Sequence, residues 1–475
     1  MQPRQFASAG ARPQDGQRHV LRRGDRFERE SLARVLSLVR SGGATTRQDI
    51  VAMSGLGRAV VADRIASLIR CGLVEEGDLA ASTGGRAPHH VRFRSSAGYL
   101  LACSLGITKL GVALVDLGGR LQVEHHEPWD PVRTAEETVD RIEALFDWML
   151  EEHPEARGTW GIGVGLPGIV ELPEGELSDK PVLHLMPDWQ SYPVVERLRA
   201  RFGAPVWIDN ETRLMAIGEL DSGRATGTRE LLFVKMGTGI SAALFSRGRI
   251  VRGARGFAGD IGHLAVSDDM SVVCRCGNTG CLEALAGGSA IARQAQQAAA
   301  DGRSPLLADR LANGSEITAA HVASAANMGD QFCIELLTRS GRLVGETIAA
   351  LVNAANPSMV VIGGGVAQAG EILLRAIREA IYRRSRSLAT QDLQIIRAEL
   401  GRTAGLVGAG VAVADELFAP AYLPTWVGHG TPRRRDATGA TDSRPDRISR
   451  PTDASSRPQA STAGLSRLSD REGEA

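Results

Sequence analysis

Cys274, Cys276 and Cys281 place three thiols within eight residues, and His263 stands eleven residues before the first of them. Three thiolates and one imidazole are a ligand set that a tetrahedral zinc ion takes, and donors this soft select it over hard cations. Protein groups fill all four positions, so such a site leaves no place for a reacting water. Its chemistry is structural: it would pin the loop from His263 to Cys281. Gly277 and Gly280 lie between the thiols and permit the tight turns of a metal knuckle. Cys71, Cys103 and Cys333 are scattered elsewhere, which argues against a disulfide framework and for the cytosol.

The elements that carry this loop come from a chain of 475 residues, long enough for two or three domains and a real core. Its 55 Lys and Arg balance 55 Asp and Glu, so no global basicity announces nucleic acid and any basic patch must be local. The first thirty residues lack the apolar core of a signal peptide, and no uncharged apolar run reaches membrane-spanning length. A soluble cytoplasmic protein is expected.

Residues 1–28 are polar and aperiodic, the pattern of a mobile arm. Residues 29–95 read as a winged helix-turn-helix. Leu32, Val35, Leu36 and Val39 fall at helical spacing. Thr46-Arg-Gln-Asp49 resembles a capping box that opens a short second helix with Ile50 and Met53 inward. Val61, Ile65, Leu68 and Ile69 stripe a third helix, and Leu73-Val74 and Val91-Arg-Phe93 pair as a wing. From residue 96 the pattern is α/β in two successive halves, 96–220 and 221–423, with the last helix expected to return to the first half. Leu100–Leu105, Gly161–Gly165 and Val206–Ile208 read as strands of one half, Leu231–Val234 and Met359–Ile362 as strands of the other. Two such halves suggest two lobes with a ligand cleft between them. Residues 424–475 are rich in Arg, Ser, Thr, Asp and Pro without periodicity and are expected to be disordered.

Gly259-Asp260-Ile-Gly-His263, followed by the Cys-x-Cys-Gly-x-x-Gly-Cys-x-Glu run that ends at Glu283, resembles the signature of the ROK family of repressors, open reading frames and sugar kinases. The resemblance covers residues 30–418 and implies a two-lobed, actin-like, hexokinase-like ATPase (RNase H-like) fold. It also implies sugar contacts at Asn210, Glu211, Asp260, His263 and Glu283, whose amide, imidazole and carboxylate groups suit the paired donors and acceptors of vicinal hydroxyls. His263 would then be both zinc ligand and cleft wall. Asp260 is one methylene shorter than the family's usual glutamate. Leu185-Met-Pro-Asp188-Trp189 and Gly163-Val-Gly165-Leu-Pro167-Gly168 match substrate-lobe loops.

The kinases of this family carry Asp-x-Gly-Gly-Thr-Lys where this chain has Ser104-Leu-Gly106-Ile107-Thr108-Lys109. Ser104 removes the magnesium carboxylate, and Ile107 crowds the approach of phosphate. The catalytic Glu-Asn-Asp-x-Asn segment aligns with Asp209-Asn210-Glu211-Thr-Arg213, so Glu211 takes the position of the base on an arm longer by about 1 Å. Gly237 and Gly239 of one phosphate loop and Gly363 and Gly364 of the adenosine-side loop are retained. Two elements are damaged where magnesium and the base would act, which weakens a kinase reading without excluding it, and two are kept where a fold needs glycine. No catalytic residue is expected, and structural zinc is the expected cofactor.

The resemblance to the repressors includes the N-terminal head. Arg47, Arg58 and Arg64, with Arg86 in Thr83-Gly-Gly-Arg86-Ala-Pro88, are the candidate DNA contacts. Arginine bonds guanine edges or phosphates, and a Gly-Arg segment can enter an A·T-rich minor groove. Gly57, Val60 and Ala62 stand where relatives carry Ser or Thr, which removes hydroxyls that would bond phosphate. The expected function is a sugar-responsive transcriptional regulator: a homodimeric repressor on inverted-repeat operator DNA, with a small sugar or sugar phosphate as effector. The alternatives are an ATP-dependent sugar kinase of glucose or N-acetyl sugar type with a regulatory head, and a sugar-sensing scaffold acting through protein partners.

Overall fold

The computed structural model describes residues 23–79, 89–171, 182–184 and 189–432. The chain divides into two compact units, one reaching to Phe93 and including Phe418–Gly430, the other built on Arg94–Leu417.

The first unit opens with α1 (Arg23–Arg40), α2 (Arg47–Ser54) and α3 (Arg58–Arg70), followed by the strands β1 (Val74–Leu79) and β2 (His89–Phe93). Its core is the stripe read from the sequence: Leu32, Val35, Leu36, Val39, Ile50, Val61, Ile65 and Leu68 are buried. The Thr46 hydroxyl accepts the Asp49 N–H at 3.2 Å and the Asp49 carboxylate accepts the Thr46 N–H at 2.9 Å, a capping box that fixes where α2 begins. Gly55 ends it in a left-handed conformation, φ 69°. β1 and β2 pair antiparallel with Val74 opposite Phe93, and the Val91 N–H donates to Thr45 O at 2.8 Å, which ties the wing to the entry of α2.

Three sequence expectations are corrected here. α1 starts at Arg23, inside the expected arm. Met53 is 50% exposed, and Ser54 is buried in its place. On a helix of only eight residues the inward face runs from position i to i+4, which pairs Ile50 with Ser54. Residues 424–430, expected to be disordered, form a short helix, Leu423–Trp426, and a 3-10 turn, Val427–His429. Leu423 and Trp426 lie one turn apart and are both buried, and Phe418 packs edge-on to Phe93 at 5.9 Å beneath the Arg40 guanidinium. The C-terminal segment completes the core of the head. Arg86 and Leu185–Asp188 lie outside the described residues.

In the second unit both lobes follow one strand plan. β3 (Tyr99–Leu105), β4 (Lys109–Asp116) and β5 (Leu121–Pro128) form an antiparallel meander, and β6 (Gly161–Leu166) follows after α4 (Ala135–Glu152). β7 (Ile169–Glu171) and β8 (Val182–His184) pair with each other, and α5 (Val194–Phe202) leads to β9 (Val206–Asn210). The sheet order is β5-β4-β3-β6-β9, with β6 and β9 parallel to β3. Parallel neighbours need a helical crossover, and α4 and α5 supply it. After α6 (Glu211–Asp221) the plan repeats. β10 (Leu231–Met236), β11 (Ile240–Ser246) and β12 (Arg249–Val251) make the meander.

Between that meander and β13 (Met359–Gly363) the chain forms α7 (Leu282–Ala286), α8 (Gly288–Ala300), α9 (Pro305–Ala312), α10 (Ala319–Asn327) and α11 (Gln331–Ala355). α12 (Glu371–Arg384) and α13 (Ser387–Thr390) precede β14 (Gln394–Arg397), and the order is β12-β11-β10-β13-β14.

The last long helix, α14 (Ala404–Leu417), leaves the second lobe and packs on α6 and the first sheet. Only glycine fits that approach: a Cβ on Gly408 would lie 1.7 Å from Leu214 O, and one on Gly218 would lie 2.3 Å from Ala404 O. Beside this seam Glu219 is fully buried, and its carboxylate accepts the N–H groups of Leu400 at 2.8 Å and Glu399 at 2.9 Å. Burial raises its pKa against the pull of those donors.

Candidate functional site

The knuckle begins at a 3-10 turn, Ile261–His263, and closes against α7, whose N-cap is Cys281. Two short antiparallel bridges, Ala265 with Cys281 and Val273 with Thr279, fold the intervening loop back on itself. The ligand atoms of His263, Cys274, Cys276 and Cys281 converge, all within 4.8 Å of one another. The Cys276 and Cys281 sulfurs are 3.7 Å apart, and the Cys274 sulfur lies 3.5 Å from His263 Nδ1. A tetrahedral zinc with bonds of about 2.3 Å to sulfur and 2.0–2.1 Å to nitrogen has S···S edges of about 3.8 Å and N···S edges of about 3.6 Å. The residues fit a metal of that size and preference. Burial pushes the Cys281 thiol up to about 12, so a cation at the centre is what would let it ionise.

His263 has a second face. Its Nε2 lies 3.9 Å from the Asp260 carboxylate, on the side opposite Cys274. Asp260 is partly exposed; burial raises its pKa, the imidazole opposes that rise, and Glu283 adds to it. Glu283 heads α7 and joins three pieces: it accepts the Ile240 N–H at 2.9 Å and pairs at 2.8 Å with Arg275, which stands between two of the thiols. A Cβ on Gly239 would lie 2.0 Å from that carboxylate, so this glycine is fixed by Glu283 itself. Gly364 adopts φ 92° and a Cβ there would meet Met236 O at 2.3 Å, so the second glycine loop is also held by packing within its own lobe.

The residues from the first lobe sit where β9 passes into α6. Asn210 caps α6 with its Oδ1 and donates from Nδ2 to Gly168 O at 2.5 Å. Glu211, the first residue of α6, pairs with Lys235 of β10. One residue on, the hydroxyls of Thr212 and Ser241 meet at 2.5 Å. Asp209 is 1% exposed and holds Arg213 at 2.9 Å and Arg252 at 2.6 Å, the latter from the other lobe. A polar seam of ion pairs therefore joins the two lobes. Ser104 faces the start of α14, where a Cβ on Gly405 would come within 2.4 Å of its hydroxyl, and Gly106 and Thr108 lie on the turn between β3 and β4.

Sequence reasoning missed Lys235, Arg252 and Arg275. A lysine inside the apolar run Leu231-Leu-Phe-Val-Lys235-Met236 was a readable signal, since a lone charge in a buried strand needs a partner. Nothing in the local sequence marks Arg252.

In the head, Arg58 opens α3 and is exposed. Arg47 pairs with Glu76 of the wing at 2.6 Å and remains partly exposed. Arg64 departs from its expected place on a DNA-facing surface. Its side chain is 13% exposed, donates to the Ser31 hydroxyl of α1 at 3.0 Å, and pairs with Asp63 at 2.7 Å. Its position on α3 turns it toward α1, so it braces two helices.

The model of the ROK family matches residues 100–416. The chain belongs to the ROK family. It is 30% identical over 398 residues to the xylose repressor of Caldicellulosiruptor bescii, covering 82% of this chain and 96% of that protein. It is 32% identical over 279 residues to a glucokinase of Halalkalibacterium halodurans, covering 59% of this chain and 83% of the kinase. Among solved structures, a ROK family transcriptional regulator described as a homologue of the Escherichia coli MLC protein superposes with a TM-score of 0.72 at 25% identity, over 85% of this chain and all of that one. The regulators match a longer stretch than the kinase does. No described helix is long and apolar enough to cross a membrane.

Proposed function

We propose that this ROK protein is a sugar-responsive, DNA-binding transcriptional regulator, a cytoplasmic repressor of carbohydrate genes. The observation that carries the reading is the similarity to a repressor over 82% of the chain, joined to a cleft whose magnesium carboxylate is replaced by Ser104 and whose base position, Glu211, is paired with Lys235. Asn210, Asp260, His263 and Glu283 would bind the sugar, with Glu211 beside them. His263, Cys274, Cys276 and Cys281 would hold zinc, which would fix the loop that presents His263 and Arg275. Arg47, Arg58 and Arg86 would face DNA, and a homodimer would read an inverted repeat. α6 carries Asn210 and Glu211 at its start and lies against α14, whose last residue, Leu417, continues into the head segment at Phe418. Sugar would act by favouring one lobe arrangement over another, and α14 would carry that difference onward.

The test is a titration of the purified protein against DNA flanking its own gene, at two salt concentrations, with and without a panel of sugars. Saturable binding above competitor DNA, altered by one sugar, is expected. Equal operator affinity with and without every sugar that binds would remove the switching role. The kinase reading draws on the 32% identity to a glucokinase. It predicts phosphoryl transfer from ATP–magnesium to a hexose that Glu211→Gln abolishes, and the regulator reading predicts none.

A further inference from the structure

We propose that Lys235 forms an anion site at the base of the cleft which Glu211, from the opposite lobe, occupies, so that the cleft rejects phosphorylated ligands. The inference rests on reading the cleft as a ligand site and deepens it by setting which ligands are shut out. The Lys235 and Glu211 side chains are only 18% and 12% exposed. Lys235 is the penultimate residue of β10, two before Gly237, where a Cβ would lie 3.3 Å from Lys235 Cε. From the other lobe, a Cβ on Gly106 would lie 3.3 Å from Glu211 Oε1. Two glycine turns, one per lobe, thus flank a single ammonium–carboxylate pair at close range.

An ammonium this desolvated holds an anion strongly, and the chain supplies the anion itself. On the sugar side Asp260 lies 3.9 Å from His263 and feels the Arg275 guanidinium, which pairs with Glu283 at 2.8 Å, so no cation is left there without a carboxylate. A phosphoryl dianion arriving at Lys235 meets an ammonium already neutralised by Glu211 and is repelled by that carboxylate. Neutral hydroxyls meet no such obstacle.

Charge arithmetic makes the test directional. Glu211→Gln keeps the shape and releases the ammonium, so affinity for a phosphoryl group rises. Adding Lys235→Met removes the gain. The probes are inorganic phosphate and D-glucose 6-phosphate, with D-glucose as the neutral control, measured by calorimetry on the full chain. Wild type is expected to show no saturable phosphate binding, E211Q to gain at least about tenfold, and the E211Q/K235M double variant to lose that gain. Phosphate binding by wild type as tight as by E211Q, no gain in E211Q, or a gain that survives in the double variant would overturn the proposal. If E211Q fails to fold, wild type and K235M still decide: glucose 6-phosphate held by wild type and lost in K235M counts against it, and rejection by both supports it. Phosphate alone is a sufficient probe, so failure of every sugar to bind would count against the proposed regulator without altering this result.

Discussion

Cutting the chain after Leu417 and cutting it after Pro432 have different consequences for the head. The longer product keeps Phe418, Leu423 and Trp426, which are 7%, 0% and 3% exposed in the N-terminal unit. The shorter one deletes all three. Burial of one large apolar side chain contributes about 1.5–3 kcal/mol, so three contribute about 5–9 kcal/mol, an upper value because unfolded chains already bury part of that surface. A small domain has about 5–15 kcal/mol in all, so the head of the shorter product is at or below the folding threshold. Trp426→Ala is the graded version and costs about 3–5 kcal/mol. The assays are thermal unfolding followed by far-UV circular dichroism, limited proteolysis of the head, and DNA binding. The chain ending at 432 should match the full protein in all three. The chain ending at 417 should lose protease resistance in residues 23–93 and lose operator binding, while the second unit, with α14 intact, still binds metal. Unchanged protease resistance of the head in that chain would refute the reasoning.

Two arginines of the head should separate function from stability. Arg58→Ala leaves unfolding within about 0.5 kcal/mol, weakens DNA binding, and lowers the salt slope by about one. Arg64→Ala strips Ser31 and Asp63 of a partner and costs about 1–3 kcal/mol, read from urea unfolding. Metal analysis should find one zinc per chain. Cys281→Ser and His263→Ala should both lose it, whereas Asp260→Asn should keep it and weaken sugar binding alone. Glu219 sets a pH signature. Its folded pKa is raised by burial, so it contributes stability that is full below its unfolded pKa and declines as pH rises through the folded value. The stability of wild type minus that of Glu219→Gln should therefore fall as pH increases from about 4 toward neutrality, and a difference independent of pH would contradict this.

What the sequence made legible was local. The knuckle could be read because soft donors at short spacing have few other uses. The head could be read because Thr46 and Asp49 cap a helix three residues apart and the apolar stripes repeat every turn. Contacts brought together by topology were not legible. Arg64 looks like a solvent-facing arginine until α1 is laid beside α3, 33 residues away in the chain. Glu211 reads as a weakened base until β10 carries Lys235 up to it across 24 residues. Leu423 reads as the end of the second lobe and Trp426 as the start of a polar tail because their partners lie in the head, at the opposite end of the chain. In each case the residue type was visible, and the partner that gives it a role was set by a strand order or a chain return that has no local signature.

The same chain return offers the proposed regulator a covalent route from its ligand residues to the head. α6 begins at the residues proposed to hold sugar, and α14 rests on it backbone to backbone at Gly218 and Gly408. Side chains absorb small shifts by changing rotamers; where a glycine meets a carbonyl oxygen, as at these two positions, there is no rotamer to change. In that reading a displacement of α6 would be passed to α14, which is joined to Phe418 by one peptide bond. Sugar would add only a bias, since a ligand shifts the lobes by no more than its difference in affinity for the two arrangements. The polar seam of Asp209 with Arg252 and Glu211 with Lys235 would set the resting arrangement that this difference must overcome. Buried ion pairs are well suited to such a seam. They hold one geometry closely yet contribute little net stability against alternatives of equal burial, so that hydroxyl contacts of ordinary strength can tip the balance.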